Sequence, residues 1–379
     1  GQGVHTALPM LVADELDVAL ASVRLVQAPR DSIFGNIAML RDGLPFHPDD
    51  DGRLKALAQW TVGKVARELG IVITGGSSSV KDAWEPMREA GAAARAMLVA
   101  AAAQQWNART ADCRTEDGFV LHADGRRLGY GALAAAAATS QPGEVRLKTP
   151  QEFRLIGRPQ PRRDTPAKVN GRAVFGIDVR PEGLLYAAVR MAPTIGGTLA
   201  GWDANTNANA SASANANANA NAVLTMPGVL RVVDFSAALG PHAGAGAGVA
   251  VVAKTWWQAK SAALALPLRW NDGPHAGLSS AAVHAQLAAA LNGEACHVYH
   301  HAGDMDAIDG KAAGVAGAAA VAKTVSAEYR APYLAHAAME PVNCTAQIRD
   351  GKVYLWAPTQ SPGFAVRAAA AAAGVAEND

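Results

Sequence analysis

The stretch "TGGSSSVKDAW", residues 74–84, sets two glycines and three serines between the apolar run "GIVI" and a long helical pattern. Consecutive backbone N–H groups at a helix N-terminus attract anions, and glycine lets a ligand approach closely. Ser77, Ser78 and Ser79 would add hydroxyl donors. No Lys followed by Ser or Thr completes a P-loop, and the three-glycine spacing of a dinucleotide fingerprint is missing. This local chemistry serves an anion cradle, and it also serves an ordinary capped turn. "GQGVHT", residues 1–6, places Gln2 between two glycines, where one amide can donate and accept together. Alone it reads as a terminal loop.

Two further groups have suggestive types. "EACHVYHH" holds Cys296, His297, His300 and His301, with His297 and His301 four apart, a zinc-ligand spacing. No second ligand pair is near, so a solvated loop with incidental histidines accounts for it. In "LAHAAMEPVN", His336 and Glu340 are also four apart. They suit an acid–base or orienting pair, and equally a structural pair at a strand–loop junction. There is no nucleophile-elbow pentapeptide, and no cysteine in a recognisable reactive setting. The three cysteines, Cys113, Cys296 and Cys344, are too few and too scattered for a disulfide framework. They also fall short of the four thiolates an iron–sulfur cluster normally needs. Any such cluster would sit on another chain.

The elements that must position these residues follow from patterning. Val4, Leu8, Leu11, Val12 and Leu16 have helical spacing, with Pro9 predicting an irregular first turn or two. "VRLVQAP" reads as a strand, 53–69 as an amphipathic helix, and "GIVIT" as a short buried strand. A long helix is expected over 81–106, with Pro86 in its first turn and a small-residue face at Gly91 to Ala94. Asp124-Gly125 marks a hairpin, and "ALAAAAATS" a further helix. "RAVFGIDV", "LLYAAVRM", "GVLRVVDF" and "GVAVVAKT" read as strands, and "WWQAKSAALALPLRW" as a helix followed by a strand. The regular Asn/Ala alternation of 204–222 has no fold preference and reads as a poorly ordered loop.

The expected fold class is α+β, mixed α/β. The expected divisions are 1–145, an extended connector 146–163, a compact α/β domain 164–272, helix and loops over 273–325, and a further, incomplete domain over 326–379. A length of 379 residues suits two or three domains, and half the residues are hydrophobic, enough for substantial cores. With 34 basic against 33 acidic residues there is no electrostatic case for nucleic acid or an anionic membrane. No run approaches the roughly 18 apolar residues of a spanning helix. The first residues lack the basic and apolar regions of a signal peptide, which suggests an internal or processed start.

The order of the blocks is more specific than any one of them. "GQGVHTALPMLVADELDV", "TGGSSSVKDAWEPMREAGAAARAMLVAAAA", "FRLIGRPQPRRDTPAKVNGRAVFGIDV", "YLAHAAMEPVNCTA" and "APTQSP" together resemble the molybdenum-binding large subunit of the xanthine dehydrogenase/aldehyde oxidase superfamily. The type resembled most is the isoquinoline 1-oxidoreductase beta subunit. Membrane-linked aldehyde dehydrogenases share the layout. The resemblance implies molybdopterin carrying Mo, commonly as the cytosine dinucleotide, and a small partner subunit with [2Fe–2S] clusters. It implies oxidation of an N-heteroaromatic or an aldehyde with water as the oxygen source, a glutamate acting as base. It places Gln2 and Gly3 near the metal end of the cofactor, and Gly75, Gly76, Ser77, Ser78 and Ser79 at the pterin or its phosphates. His336 and Glu340 become supporting residues, and 164–272 an α/β hammerhead-like domain. The family's "GGGFGRR"-like loop and its late catalytic glutamate have no match here. The expectation is therefore an N-terminal half without a catalytic residue or a metal ligand of its own, inactive alone. Its partners would be a C-terminal half, the small subunit and, in the aldehyde dehydrogenase layout, a cytochrome c subunit. A scaffold half that binds only a partner chain is the non-catalytic alternative. A periplasmic or cytoplasmic-membrane-associated location is expected over the cytoplasm.

Overall fold

A computed structural model describes residues 2–29, 31–47, 49–68, 72–202, 222–239, 247–291, 293, 303, 325–335 and 337–378. Residues 204–221 of the Asn/Ala tract, the Cys296–His301 group and His336 lie outside these. The chain forms two compact units, one of residues 1–179 with 340–379 and one of 180–339. The class is α+β, helices with small antiparallel sheets.

In the first unit, α1 (Val4–Glu15) starts after Gly3, whose φ of 75° only glycine adopts readily. Pro9 lies within the helix and does not interrupt it: the amides of Thr6 and Ala7 both reach Gly3 O, which closes the first turn. α2 (Ala38–Asp42) and α3 (Arg53–Glu68) follow, then the long α4 (Ser79–Trp106). α4 begins two residues earlier than its apolar pattern suggests, so Pro86, its eighth residue, falls at the start of the third turn rather than in the first. A three-stranded antiparallel meander comes next: β1 (Cys113–Glu116), β2 (Phe119–His122) and β3 (Arg127–Gly129). Asp117 and Gly118, with φ of 47° and 81°, make the two-residue turn between β1 and β2. Val120 of β2 packs with Ala101 and Ala102 of α4 and with Leu133 and Ala137 of α5 (Tyr130–Thr139), a small core of its own.

The connector 146–163 runs without strand structure, and a short helix, α6 (Thr165–Val169), follows it. Two predicted strands are absent. Residues 23–29 ("VRLVQAP") and 172–179 ("RAVFGIDV") pair with no strand among the described residues, the latter containing a tight turn at Gly176–Asp178. The described part of "GIVIT" is likewise no strand; its Thr74 N–H makes a single bond, to Gln360 O at 2.7 Å. β-branched composition favours extended backbone, but a strand needs a neighbour to complete its ladder.

The second unit has a three-stranded antiparallel sheet with β4 (Tyr186–Met191) and β6 (Val229–Asp234) flanking β7 (Gly248–Ala253). β5 (Thr198–Trp202) pairs with β8 (Leu268–Asn271). α7 (Trp256–Ala265) lays Ala259, Ala262 and Ala263 against Ala188, Val249 and Val251 of the sheet. Thr255 caps it by accepting the Gln258 N–H, and Arg190 of β4 donates to the carbonyls of Ala263 and Leu266 at its other end. α8 (Ser280–Leu291) follows. The chain then returns to the first unit with the hairpin β9 (Thr345–Arg349) and β10 (Lys352–Trp356), turned at Asp350-Gly351, and ends with α9 (Pro362–Ala373).

Candidate functional site

α1 and α4 lie parallel, and three points along them show it. At the N-terminal ends the Gln2 amide donates to Ser79 Oγ (3.1 Å) and accepts from Ser79 N–H (3.3 Å). Further along, Gly91 lets α1 in close: a Cβ there would stand 2.8 Å from Glu15 Cβ and 3.0 Å from Val12 O. At the C-terminal end of α1, Arg88 and Arg95 of α4 both reach Glu15. The two segments singled out in the sequence, 77 positions apart, therefore meet, and two helix N-termini open side by side.

Between them the 74–79 loop turns sharply, with Gly76 and Ser77 both left-handed at φ 58° and 57°. This carries Gly76 and Ser77 outward and Ser78 inward, where it is 4% exposed. The three serines differ accordingly. The Ser78 hydroxyl donates to Gly75 O (2.6 Å) and accepts from Asn36 Nδ2 (2.9 Å), so it braces the loop from inside. Ser79 is engaged by Gln2 and lies 3.3 Å from Thr74 Oγ1. Ser77 is exposed, and neither its N–H nor that of Gly76 meets an acceptor among the described residues.

A strap of residues 36–42 supports this loop, and the sequence patterns gave no sign of it. Besides Asn36 on Ser78, Asp82 Oδ1 accepts the N–H groups of Ile37 and Ala38 (2.9 Å each), heading α2. Lys81 pairs with Asp42 at 2.6 Å. A Cβ at Gly75 would sit 2.4 Å from Met39 Sδ, so a larger residue there would have to displace the Met39 side chain. From the other side the Gln360 carbonyl takes the Thr74 N–H, and a Cβ built on Gly363 would lie 3.9 Å from Val72 O. The N-terminus of α9 is thus the third helix end at the loop. Two buried oxygens beside it, Asn36 Oδ1 and Ser361 Oγ, have no partner among the described residues. Free N–H groups, converging helix N-termini and a glycine-lined turn fit an anionic, hydrogen-bonding cofactor.

Glu340 lies at a neighbouring junction rather than in the loop. Its Oε1 accepts from Ile177 N–H and Asn343 Nδ2, both at 2.9 Å, tying the returning chain segment to the 176–178 turn. Gly176 there packs against Pro358, two residues before Gln360. Among the described residues no group of three His, Cys, Asp or Glu side chains could hold a metal ion, and no helix is long and apolar enough to cross a membrane. Burial pushes the Cys113 thiol up, away from a reactive thiolate.

A buried ion network at the far end of α1 was also missed. Glu15 and Asp14 are completely or almost completely buried. Glu15 accepts from Arg88 Nε (2.9 Å), Arg95 Nη1 (3.1 Å) and Lys148 N–H (3.2 Å). Asp14 takes three successive connector amides, Arg154, Leu155 and Ile156, at 3.0, 3.2 and 2.8 Å. Asp17 pairs with Lys148 at 2.6 Å and accepts from Thr115. Burial and the Asp17 charge push the Tyr130 phenol up to about 12, and its hydroxyl donates to Leu16 O at 2.7 Å. The available signal was the place of "ADELD" at a helix C-terminus, where carboxylates are unfavourable unless paired.

Comparison with known proteins bears on the whole arrangement. A family model, the molybdopterin cofactor-binding domain, matches residues 294–379, which include Glu340, Gln360 and Ser361. The beta chain of isoquinoline 1-oxidoreductase from Brevundimonas diminuta is 30% identical over 310 residues, 72% of this chain and 33% of that protein. One of the nicotinate dehydrogenase subunits from Pseudomonas putida is 25% identical over 367 residues, 96% of this chain and 25% of that protein. A membrane-bound aldehyde dehydrogenase of Gluconacetobacter polyoxogenes is 29% identical over 201 residues, 51% of this chain and 21% of that protein. The chain spans a third or less of the length of each. It belongs to the molybdopterin-binding subunits of the xanthine oxidase family, which are parts of molybdenum oxidoreductases.

Proposed function

We propose that the 74–79 loop, together with Gln2 and Gly3, holds the molybdenum-bearing pterin, as the cytosine dinucleotide, in an enzyme that oxidises an isoquinoline-like N-heteroaromatic or an aldehyde. The observation that carries this is the Gln2–Ser79 contact, which puts two N-termini and the outward Gly76-Ser77 turn at one place. When bound, the cofactor supplies two-electron oxidation with water as the oxygen source. The N–H groups of Gly76 and Ser77 and the Ser77 hydroxyl donate to its oxyanions. Ser79 fixes the Gln2 amide, Ser78 and Asn36 hold the turn, and Glu340 secures the segment leading to Gln360. The base is a carboxylate outside these residues: Asp82, the acidic residue in the first turn of α4, is engaged by α2. A C-terminal half of the large subunit and a [2Fe–2S] subunit complete the assembly, with periplasmic or membrane-associated placement. The likeness to a membrane-bound aldehyde dehydrogenase supports a second reading, in which electrons pass to a cytochrome c subunit.

Ser77→Asp tests the loop. Its left-handed φ suits aspartate, so the turn is kept while a like charge faces the ligand. Repulsion of about 1.4 kcal/mol or more lowers affinity at least tenfold, read as molybdenum per chain in the complete enzyme. Unchanged molybdenum in Ser77→Asp refutes the loop assignment, and a complete enzyme without molybdenum leaves only a scaffold that binds a partner chain.

A further inference from the structure

α3 buries small residues, Gly63 and Ala66, and exposes large apolar ones. The side it turns to the protein carries Lys55, Ala58, Gln59, Val62, Gly63 and Ala66. Its solvent side carries Leu54, Leu57, Trp60 and Val65, exposed by 71, 59, 59 and 52%. The adjoining 32–34 turn, which packs on α3, continues the patch with Ile33 and Phe34, exposed by 80 and 51%. Single exposed apolar residues are ordinary, but four large apolar side chains along one side of a helix, continued by two on the adjoining turn, mark a surface that something covers.

The surroundings favour a protein. Asp49, Asp50 and Asp51 precede the helix, Arg53 and Lys64 lie on it, and Glu68 ends it. Both signs of charge are interspersed with aromatic and aliphatic side chains, a mixture suited to a protein partner, and no basic excess favours an anionic membrane. Lys64 lies over the Trp60 ring at 5.9 Å, leaving its outer face free. The patch is also joined to the loop. Arg41 of α2 donates to Gln59 O at 3.2 Å, and its guanidinium fills the space beside Gly63, where a Cβ would lie 2.6 Å from Nη2. α2 continues the strap that holds Ser78 and Gly75. The relatives supply a partner of fitting kind, since at least two-thirds of each lies outside the matched region.

We propose that the outward face of α3 is the docking surface for polypeptide homologous to that unmatched part of the relatives, and that docking there steadies the 74–79 loop through α2. The partner's identity rests on the function proposed above. The test compares hydroxyl-radical oxidation of Trp60 and Leu57 in the 379-residue chain and in the complete large subunit, with molybdenum measured on the same samples. Oxidation slows about tenfold or more in the complete protein, because a docked centre excludes water. Trp60→Asp with Leu57→Asp leaves the thermal midpoint of the 379-residue chain unchanged and abolishes association with the remainder when the two are co-expressed. Equal oxidation rates overturn the proposal. So does protection of the chain alone that rises with its concentration, which means a second copy, or protection only with phosphatidylglycerol vesicles, which means lipid. Full molybdenum with an exposed Trp60 removes the docking surface and keeps the cofactor reading; a protected Trp60 without molybdenum does the reverse.

Discussion

Glu15→Gln removes one charge from the most buried ion network of the molecule and changes almost no volume. Glu15 has no exposed surface, and Arg88 and Arg95 converge on it with side chains 9 and 15% exposed. Without the carboxylate both guanidinium groups stay buried, facing a neutral amide. Removing one partner of a buried pair costs about 3–5 kcal/mol. Retained contacts set the value near the lower end. Arg88 still donates to Lys148 O at 2.6 Å and still lies over the Trp84 and Phe153 rings at 5.2 and 5.0 Å. Arg95 keeps the carbonyls of Glu15 and Arg146. A loss of about 3 kcal/mol is large against the ~5–15 kcal/mol of a whole domain. With a slope near 2 kcal/mol/M, the urea midpoint of the first unit falls by about 1.5 M, followed by Trp84 fluorescence. Arg88→Met in the same background should recover about 1–2 kcal/mol relative to the sum of the single losses, because the orphaned cation is gone. A midpoint shift worth less than about 1 kcal/mol, or simple additivity, would falsify the claim that this network holds α1 on α4.

Three further outcomes follow from the same geometry. Gly91→Ala, worth about 1 kcal/mol of helix propensity on an open surface, should instead destabilise by about 1–3 kcal/mol, since its Cβ meets Glu15 Cβ and Val12 O; a raised melting temperature contradicts the close helix approach. Tyr130 keeps its proton to about pH 12 when folded but loses it near 10 when unfolded, so the folded state binds the extra proton between these values and stability falls as pH rises through that window. Tyr130→Phe should remove that fall, at most about 2 kcal/mol after solvent screening, in unfolding curves at pH 9, 10.5 and 12; identical pH profiles refute it. Asn36→Ala removes the bond to Ser78 and also the unpaired Oδ1, so stability should change by no more than about 1 kcal/mol while molybdenum is lost faster from the holoenzyme; equal retention shows that the strap does not hold the loop.

The sequence made elements legible where the pattern is local. The 3.6-residue periodicity of α3 and α4, the apolar runs of β4, β6 and β7 and the helix-to-strand change in "WWQAKSAALALPLRW" all match the structure. Extended segments misled where the deciding partner is remote: "VRLVQAP" and "RAVFGIDV" have strand composition and no neighbour to pair with. Periodicity showed that α3 has two faces but not which one the protein covers. The contact of Gln2 with Ser79 was not legible, since nothing in either hexapeptide specifies the other; the order of motif blocks only assigned both segments to one expected cofactor. Ser77, Ser78 and Ser79 look alike in sequence; two left-handed residues before Ser78 turn it inward and leave Ser77 outside.

The site and the ion network are two ends of one electrostatic arrangement. Parallel helices bring like poles together, and at the C-terminal end of α1 three carboxylates, Asp14, Glu15 and Asp17, add to the negative pole. Arg88, Arg95 and Lys148 neutralise that end from within. Nothing comparable happens at the N-terminal end. The first turn of α1 has no acidic residue, and the one in α4, Asp82, is held by the amides of Ile37 and Ala38. α1 is therefore neutralised at its C-terminal end, against the middle of the longer α4, while the uncompensated N-terminal poles of both helices lie by the Gly76-Ser77 turn. Weakening the network should loosen the helix pair and with it the alignment of Gln2 on Ser79. On this reasoning the deeply buried charges far from the loop would serve the anion binding proposed for it as much as they serve stability.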